Sequence, residues 1–226
     1  YVVPSEEVKR RFVTRGIDAS KIKVLGIPIH PRFFERTDRE AIARRFALDV
    51  RHPIILIMGG SSGFGRLKEI VVKLDHLPHP CQCVVLAGTN RSLYAWLIRQ
   101  RFRHRVVTLG HVEIVPELME LATMLISKPG GLTTSEALVK RLPLVIVNPI
   151  PGQEAYNARY LLAQGAAVQA ESPETVRQTV RDLLDSPARL EALRRRIDEI
   201  AHPTAAGDIS TLLFALANGT RGMPKA

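Results

Sequence analysis

Cysteine is almost missing from this chain. Cys81 and Cys83 are the only two in 226 residues. Two thiols one residue apart build no disulfide framework, and a reduced, cytosolic setting fits. No apolar run approaches the roughly 18–20 residues that span a bilayer, and no secretory signal is visible. Aromatics make up 5% of the chain, with one tryptophan, and Tyr94 and Trp96 at helical spacing read as packing residues. Acidic residues are absent between Arg91 and Arg105, a stretch that also holds Arg99, Arg101 and Arg103. The formal net charge is +10. That suits a polyanionic partner, either nucleic acid, an anionic membrane or a phosphorylated ligand. No helix-turn-helix, RNA-recognition or finger pattern occurs, so nucleic acid is not expected as the partner. The first residue is Tyr1 rather than Met, and the chain is expected to be a fragment of a longer protein.

What is present is a regular alternation. Hydrophobic residues make up 46% and charged residues 24%, a globular mix with a sizeable core. Short apolar runs, Pro53–Met58, Cys83–Ala87, Val106–Leu109, Met124–Ile126 and Leu144–Val147, alternate with helical patterns. The helices are expected at 66–77, 92–102, 116–122, 132–141 and 155–164, followed by 173–184, 188–200 and 205–217. Upstream, Ser5 caps a helix to about Arg15, Ile22–Leu25 is a strand, and Asp38 caps a helix to about Leu48. Gly26–Pro31 holds two prolines three apart and cannot be helical. Strand–helix alternation predicts an α/β fold, with a Rossmann-like parallel sheet and helices on both faces. In such a sheet the loops after the strands share one edge, where ligands bind.

One of those loops organises the rest. Ser127-Lys-Pro-Gly-Gly-Leu-Thr-Thr-Ser-Glu136 follows an apolar strand and opens a helix. A glycine turn into a helix leaves backbone N–H groups unpaired at the positive end of the helix dipole, an anion site. Glu136, one turn in, suits a ribose diol. Gln153, Glu154 and Asn157, after the next strand, suit the hydroxyls of a hexose. The stretch Gly59–Gly65 is no P-loop, because no Gly-Lys-Ser/Thr follows. It is no Gly-x-Gly-x-x-Gly either, and no acid ends the following strand, so NAD is not expected. His76, His79, Cys81 and Cys83 are zinc-like in type, but the spacing matches no common finger and no metal is expected. The residues together describe a nucleotide-sugar site.

These motifs carry a resemblance. Pro4-Ser-Glu-Glu-Val8, Gly26-Ile-Pro-Ile29, Met58-Gly-Gly-Ser61, Gly88-Thr-Asn90, Gly110-His-Val112, the Ser127–Glu136 stretch, and Asn148-Pro-Ile-Pro-Gly-Gln-Glu154 with Asn157 all contribute. From Tyr1 to about Ala217 the chain resembles the C-terminal, donor-binding half of the GT-B glycosyltransferases of family 28. Within that family it is most similar to the monogalactosyl- and glucosyl-diacylglycerol synthases. The N-acetylglucosaminyltransferase of peptidoglycan precursor synthesis shares the fold and the Gly-Gly turn, and is the neighbouring alternative.

The resemblance implies inverting transfer of a hexose from UDP-glucose or UDP-galactose to a diacylglycerol-type lipid, without an obligatory metal or other cofactor. It places Gly60 and Ser61 by the diphosphate, Thr89 and Asn90 on the nucleotide side, and the backbone at Val112 on the uracil. Gly131, Leu132, Thr133 and Thr134 would bind the diphosphate and Glu136 the ribose. Gln153 and Glu154 would hold the sugar, with Asn157 beside them, and Lys128 is either added charge near the phosphates or a surface lysine. Residues 1–25 would be the end of an N-terminal acceptor domain, 26–34 a linker, 35–218 the donor domain and 219–226 a flexible tail. The catalytic base would belong to the absent acceptor half, so the chain alone is expected to bind donor without turning it over. The alternative is a donor-binding subunit whose partner chain supplies that half. The expected setting is cytoplasmic and peripheral, on an anionic membrane surface that presents the lipid acceptor.

Overall fold

A computed structural model of the chain describes residues 1–60, 63 and 65–219. The described residues form two parallel sheets. The smaller pairs β1 (Val2–Val3) with β2 (Lys23–Val24) around α1 (Glu6–Val13). Ser5 caps α1 by accepting from the Val8 amide, as its position before two glutamates predicts.

The larger sheet has six parallel strands. They are β3 (Ile54–Met58), β4 (Gln82–Leu86), β5 (Arg105–Leu109), β6 (Met124–Ser127), β7 (Leu144–Ile146) and β8 (Ala167–Gln169). Their spatial order is β5-β4-β3-β6-β7-β8. The chain therefore builds outward from β3 to one side, returns to the centre, and builds outward from β6 to the other. This is the doubly wound order, with its switch point between β3 and β6.

Strand β3 is apolar throughout because both of its faces are covered. Ile54 and Leu56 enter one core cluster with Val84, Leu86, Leu125 and Leu144. Ile55 and Ile57 enter the other with Cys83, Val85, Met124 and Ile126. Residues of period two therefore divide cleanly between the two layers. Each of these fully buried side chains stabilises the fold by about 1.5–3 kcal/mol.

The helices follow the strands: α2 (Arg39–Arg45), α3 (Leu67–Leu74), α4 (Arg91–Leu97), α5 (Val115–Leu121), α6 (Gly131–Val139), α7 (Gln153–Ala163), α8 (Pro173–Leu184), α9 (Pro187–Ile200) and α10 (Ala205–Ala217). Several stop short of the expected ends. Ala47 and Arg141 adopt left-handed backbone, φ 49° and 53°, which terminates α2 and α6. Helix α7 begins two residues earlier than expected, so Gln153 and Glu154 lie in its first turn. The prolines at 28 and 31 do exclude an α-helix, but Pro31–Phe34 forms a 3-10 turn that His30 caps. Ile29 and Phe33 are buried in the core of the large sheet, so this connection is anchored there. No helix among the described residues is long and apolar enough to cross a membrane.

Candidate functional site

The loops after β3 and β6 part to opposite sides of the sheet, which opens a crevice at their carboxyl ends. Gly60, on the β3 side, has φ +74°. A Cβ there would stand 3.5 Å from Cε of Lys128, on the β6 side. Gly63 continues the first loop; its N–H donates to the Gly60 carbonyl at 3.0 Å. A Cβ on Gly63 would lie 2.3 Å from the Ala87 carbonyl oxygen, so this turn docks directly on the loop after β4. Ser61 lies outside the described residues.

Across the crevice, Gly130 is the N-cap of α6 and supplies no side-chain cap. The amides of Gly131, Leu132 and Thr133 open the helix, where no carbonyl one turn back exists to receive them. Thr134 stands differently. Its N–H and its hydroxyl both donate to the Gly130 carbonyl, each at 2.9 Å, and the hydroxyl also reaches Gly131 O at 3.0 Å. Thr134 is buried and holds the turn in shape. In front of the three amides is a recess of about 370 Å³ lined by Ile27, Gly130, Gly131, Leu132, Thr133 and Gln153. A Cβ on Gly131 would come within 3.3 Å of both Gln153 Nε2 and Ile27 Cδ1, so glycine keeps the helix start open.

Helix α7 supports this arrangement from behind. Its cap, Gly152, has φ +102° and no side-chain cap either. Asn157 donates from Nδ2 to the Pro129 carbonyl at 2.9 Å, tying α7 to the Pro-Gly-Gly turn. Glu154 accepts from the Ile150 amide at 3.0 Å and pairs with Lys128 Nζ at 3.1 Å. Among the helices that open on this edge, α4 and α8 carry side-chain caps, from Asn90 and Ser172, whereas α3, α5, α6 and α7 have none.

Glu136 lies on the second turn of α6 and faces a neighbouring pocket of about 530 Å³. His30, Arg32, Phe33, Met58, Glu113, Val115 and Pro116 line that pocket with it. Burial pushes the Glu136 carboxyl above its ordinary value. Arg32 fixes the far wall: Nη1 donates to the Glu113 carbonyl at 3.2 Å and Nη2 to Glu117 at 2.6 Å. Val112 is half-buried against the core in the segment just before Glu113. Sequence reasoning missed His30, Arg32, Phe33, Met58 and Glu113. The Arg-Phe-Phe directly after the second proline was the available signal, because a paired aromatic is rare in this chain.

Thr89 and Asn90 stand apart from these two cavities. Asn90 caps α4, accepting from Leu93 N at 2.9 Å, and its Nδ2 donates to Gly63 O at 3.4 Å. It thereby braces the first glycine turn. The cysteines are removed from the edge. Cys83 is buried in β4, and burial pushes the Cys81 thiol up to about 11. His79 pairs with Asp185 at 2.7 Å. Among the described residues no group of three His, Cys, Asp or Glu side chains is arranged to hold a metal. A further cavity of about 90 Å³ lies between α1, α6 and α7, with Arg11 and Tyr156 in its wall, and borders the α6 recess through Ile27.

Uncapped amides, a lysine and a glycine crevice can hold a diphosphate. A carboxylate one pocket away can accept from a diol, and the first turn of α7 offers an amide and a carboxylate to further hydroxyls.

Comparison with known proteins gives the family and the fold. A family model described as the glycosyltransferase family 28 C-terminal domain matches residues 54–206. A processive diacylglycerol beta-glucosyltransferase of Staphylococcus saprophyticus is 33% identical over 223 residues, covering 96% of this chain and 56% of the relative. The chain thus spans about half the length of the curated relatives it matches. Among solved structures, Anabaena Alr3699/HepE in complex with UDP-glucose superposes with a TM-score of 0.64 at 14% identity, over 95% of this chain and 63% of that one. The S. aureus MnaA–UDP co-structure gives a TM-score of 0.74 at 12% identity, over 99% and 62%. At these identities the structural likeness establishes the fold.

Proposed function

The chain belongs to the glycosyltransferase family 28 C-terminal domain family, and from that premise we propose that it is the donor-binding half of a hexosyltransferase acting on a membrane lipid. The donor is a UDP-hexose. The observation that carries this reading is the uncapped start of α6 at the switch point, with Glu136 one pocket away.

In this reading the diphosphate lies against the amides of Gly131, Leu132 and Thr133, with Gly60 opposite. Glu136 accepts from the ribose hydroxyls. The uracil enters the wider pocket between Phe33 and the Val112–Glu113 backbone. Gln153 and Glu154 face the hexose, and Asn157 holds the turn beneath it. Asn90 frames the nucleotide side by bracing the glycine turn, with Thr89 next to it. The lipid hydroxyl attacks the anomeric carbon from the face opposite the diphosphate, so the configuration inverts. The bond from that carbon to the β-phosphate oxygen breaks, and its electron pair leaves with UDP. Preorganised N–H donors stabilise the charge that develops there. The acceptor's proton goes to a base on an acceptor-binding half. Glucose is the favoured hexose, because the curated relatives carry the name diacylglycerol beta-glucosyltransferase; galactose differs at one hydroxyl orientation.

The same reading gives the basic surface a role. Arg91, Arg99, Arg101 and Arg103 are exposed on and after α4, beside Tyr94 and Ile98, which are 38% and 58% exposed. A peripheral contact with anionic lipid would draw about 1 kcal/mol from each basic side chain near the surface.

Calorimetric titration of the chain with UDP, UDP-glucose, UDP-galactose, UDP-N-acetylglucosamine and, as control, NAD tests the reading. Binding of UDP and of one UDP-hexose, lost in Glu136→Ala, is expected. Preference for UDP-N-acetylglucosamine would move the assignment to the peptidoglycan-precursor enzyme, and binding of NAD alone would overturn the reading.

A further inference from the structure

Glu154 is assigned to sugar hydroxyls above, yet the structure shows it already engaged. Its Oε1 pairs with Lys128 Nζ at 3.1 Å, and both side chains are 18% exposed. Its other oxygen accepts from the Ile150 amide. Lys128 in turn lies in the crevice between the two central loops. Its terminal carbon and nitrogen would stand 3.5 and 3.8 Å from a Cβ on Gly60, and the first amide of α6 follows three residues later.

Each partner therefore occupies the place where part of a donor would go. A largely buried ion pair is costly to break when one charge is left alone, but not when each charge receives a new partner. A nucleoside diphosphate sugar carries both replacements: phosphate oxygens for the ammonium and hydroxyl donors for the carboxylate. We propose, resting on the donor-site reading, that Lys128 and Glu154 form a partner-exchange latch. The diphosphate takes Lys128, and Glu154 is thereby released toward the hexose. Sugar recognition then follows diphosphate binding, so the site selects a hexose only when it is attached to a diphosphate. Lys128 is a binding residue in this account, and the pair, rather than Glu154 alone, sets the specificity.

The test compares UDP and UDP-glucose titrations of the unmodified chain with those of Glu154→Gln, Lys128→Met and Lys128→Arg. Glu154→Gln removes the carboxylate that competes for Lys128, so UDP binds severalfold tighter, while the extra affinity of UDP-glucose over UDP is lost. Lys128→Met weakens UDP about tenfold, the scale of one hydrogen bond to a charged group, and Lys128→Arg restores most of it. Simple loss of a structural ion pair would weaken UDP binding in Glu154→Gln as well. Equal or weaker UDP binding by that variant therefore overturns the latch while leaving the donor site standing. Absence of UDP binding by the unmodified chain overturns the donor site and the latch with it. Should Lys128→Met fail to fold, Glu154→Gln decides the question by itself.

Discussion

Asn157 on α7 donates its side-chain N–H to the Pro129 carbonyl at 2.9 Å, across a separation of 28 residues. That bond fixes the Pro-Gly-Gly turn against the helix that carries Gln153 and Glu154. Asn157→Asp would set a carboxylate oxygen against a carbonyl oxygen. The lost bond and the added repulsion cost about 1–3 kcal/mol. A fall in melting temperature of about 2–4 °C per kcal/mol, together with weaker UDP binding, is the expected result. Unchanged values for both would mean that the turn holds itself.

Gly63 is the position where the fold least tolerates a side chain. Its φ is +55°, and a Cβ would meet Ala87 O at 2.3 Å. Gly63→Ala is expected to destabilise by about 2–4 kcal/mol, because a backbone clash adds to left-handed strain. Gly130→Ala provides the contrast. It has negative φ and open space around its Cβ position, so it should stay within about 0.5 kcal/mol of the parent. Chemical denaturation of the two variants side by side tests the pair.

Glu136 makes stability depend on pH. Burial raises its pKa above that of an ordinary glutamate, so the folded chain holds its proton more tightly than the unfolded chain. The stabilisation associated with the protonated form is complete below the unfolded pKa, and it is lost as pH rises through the folded pKa. Glu136→Gln lacks that loss. Its melting temperature relative to the parent should therefore climb as pH rises above about 4.3 and then level off. UDP affinity of the parent, which requires the carboxylate, should rise over the same range and be weak at every pH in the variant. A melting difference that stays flat with pH would contradict the assignment.

Membrane association supplies a separate prediction. Replacing Arg99, Arg101 and Arg103 by Gln removes about 3 kcal/mol of attraction to anionic lipid, at about 1 kcal/mol each. That is about two orders of magnitude in partition. Co-sedimentation with phosphatidylglycerol vesicles should show the loss, and UDP binding should be unaffected. Equal sedimentation of parent and variant would remove this surface from the account.

Much of this architecture was legible in the residues. The continuous apolar run Ile54–Met58 announces a strand covered on both faces, and the glycine turns that follow the strands mark one shared edge. The start of α7 was less legible, because Gly152 at φ +102° starts the helix two residues before the apolar pattern begins. The wall of the Glu136 pocket was legible only as the Arg-Phe-Phe after the second proline. Phe33 and Arg32 reach it only because residues 26–34 fold back onto the large sheet, with Arg32 bridging to Glu117 across 85 residues. The Lys128–Glu154 pair was hidden for the same reason: each residue belongs to its own strand–helix loop, and only the adjacency of β6 and β7 brings them together. Asn90 was legible in one respect. Its position before a helix carries an N-cap signal beside the nucleotide-side role that the resemblance implies, and the structure uses the cap.

The central claim is that the carboxyl edge of the large sheet binds a uridine diphosphate through the start of α6. The most direct measurement is the change in backbone amide chemical shifts when UDP is added to isotope-labelled chain. The account predicts the largest shifts at Gly131, Leu132 and Thr133, with further shifts at Gly60 and around Glu136, and little change along the amino ends of the strands such as Arg105 and Ile54. Shifts centred elsewhere, with Gly131–Thr133 unmoved at saturating UDP, would contradict it.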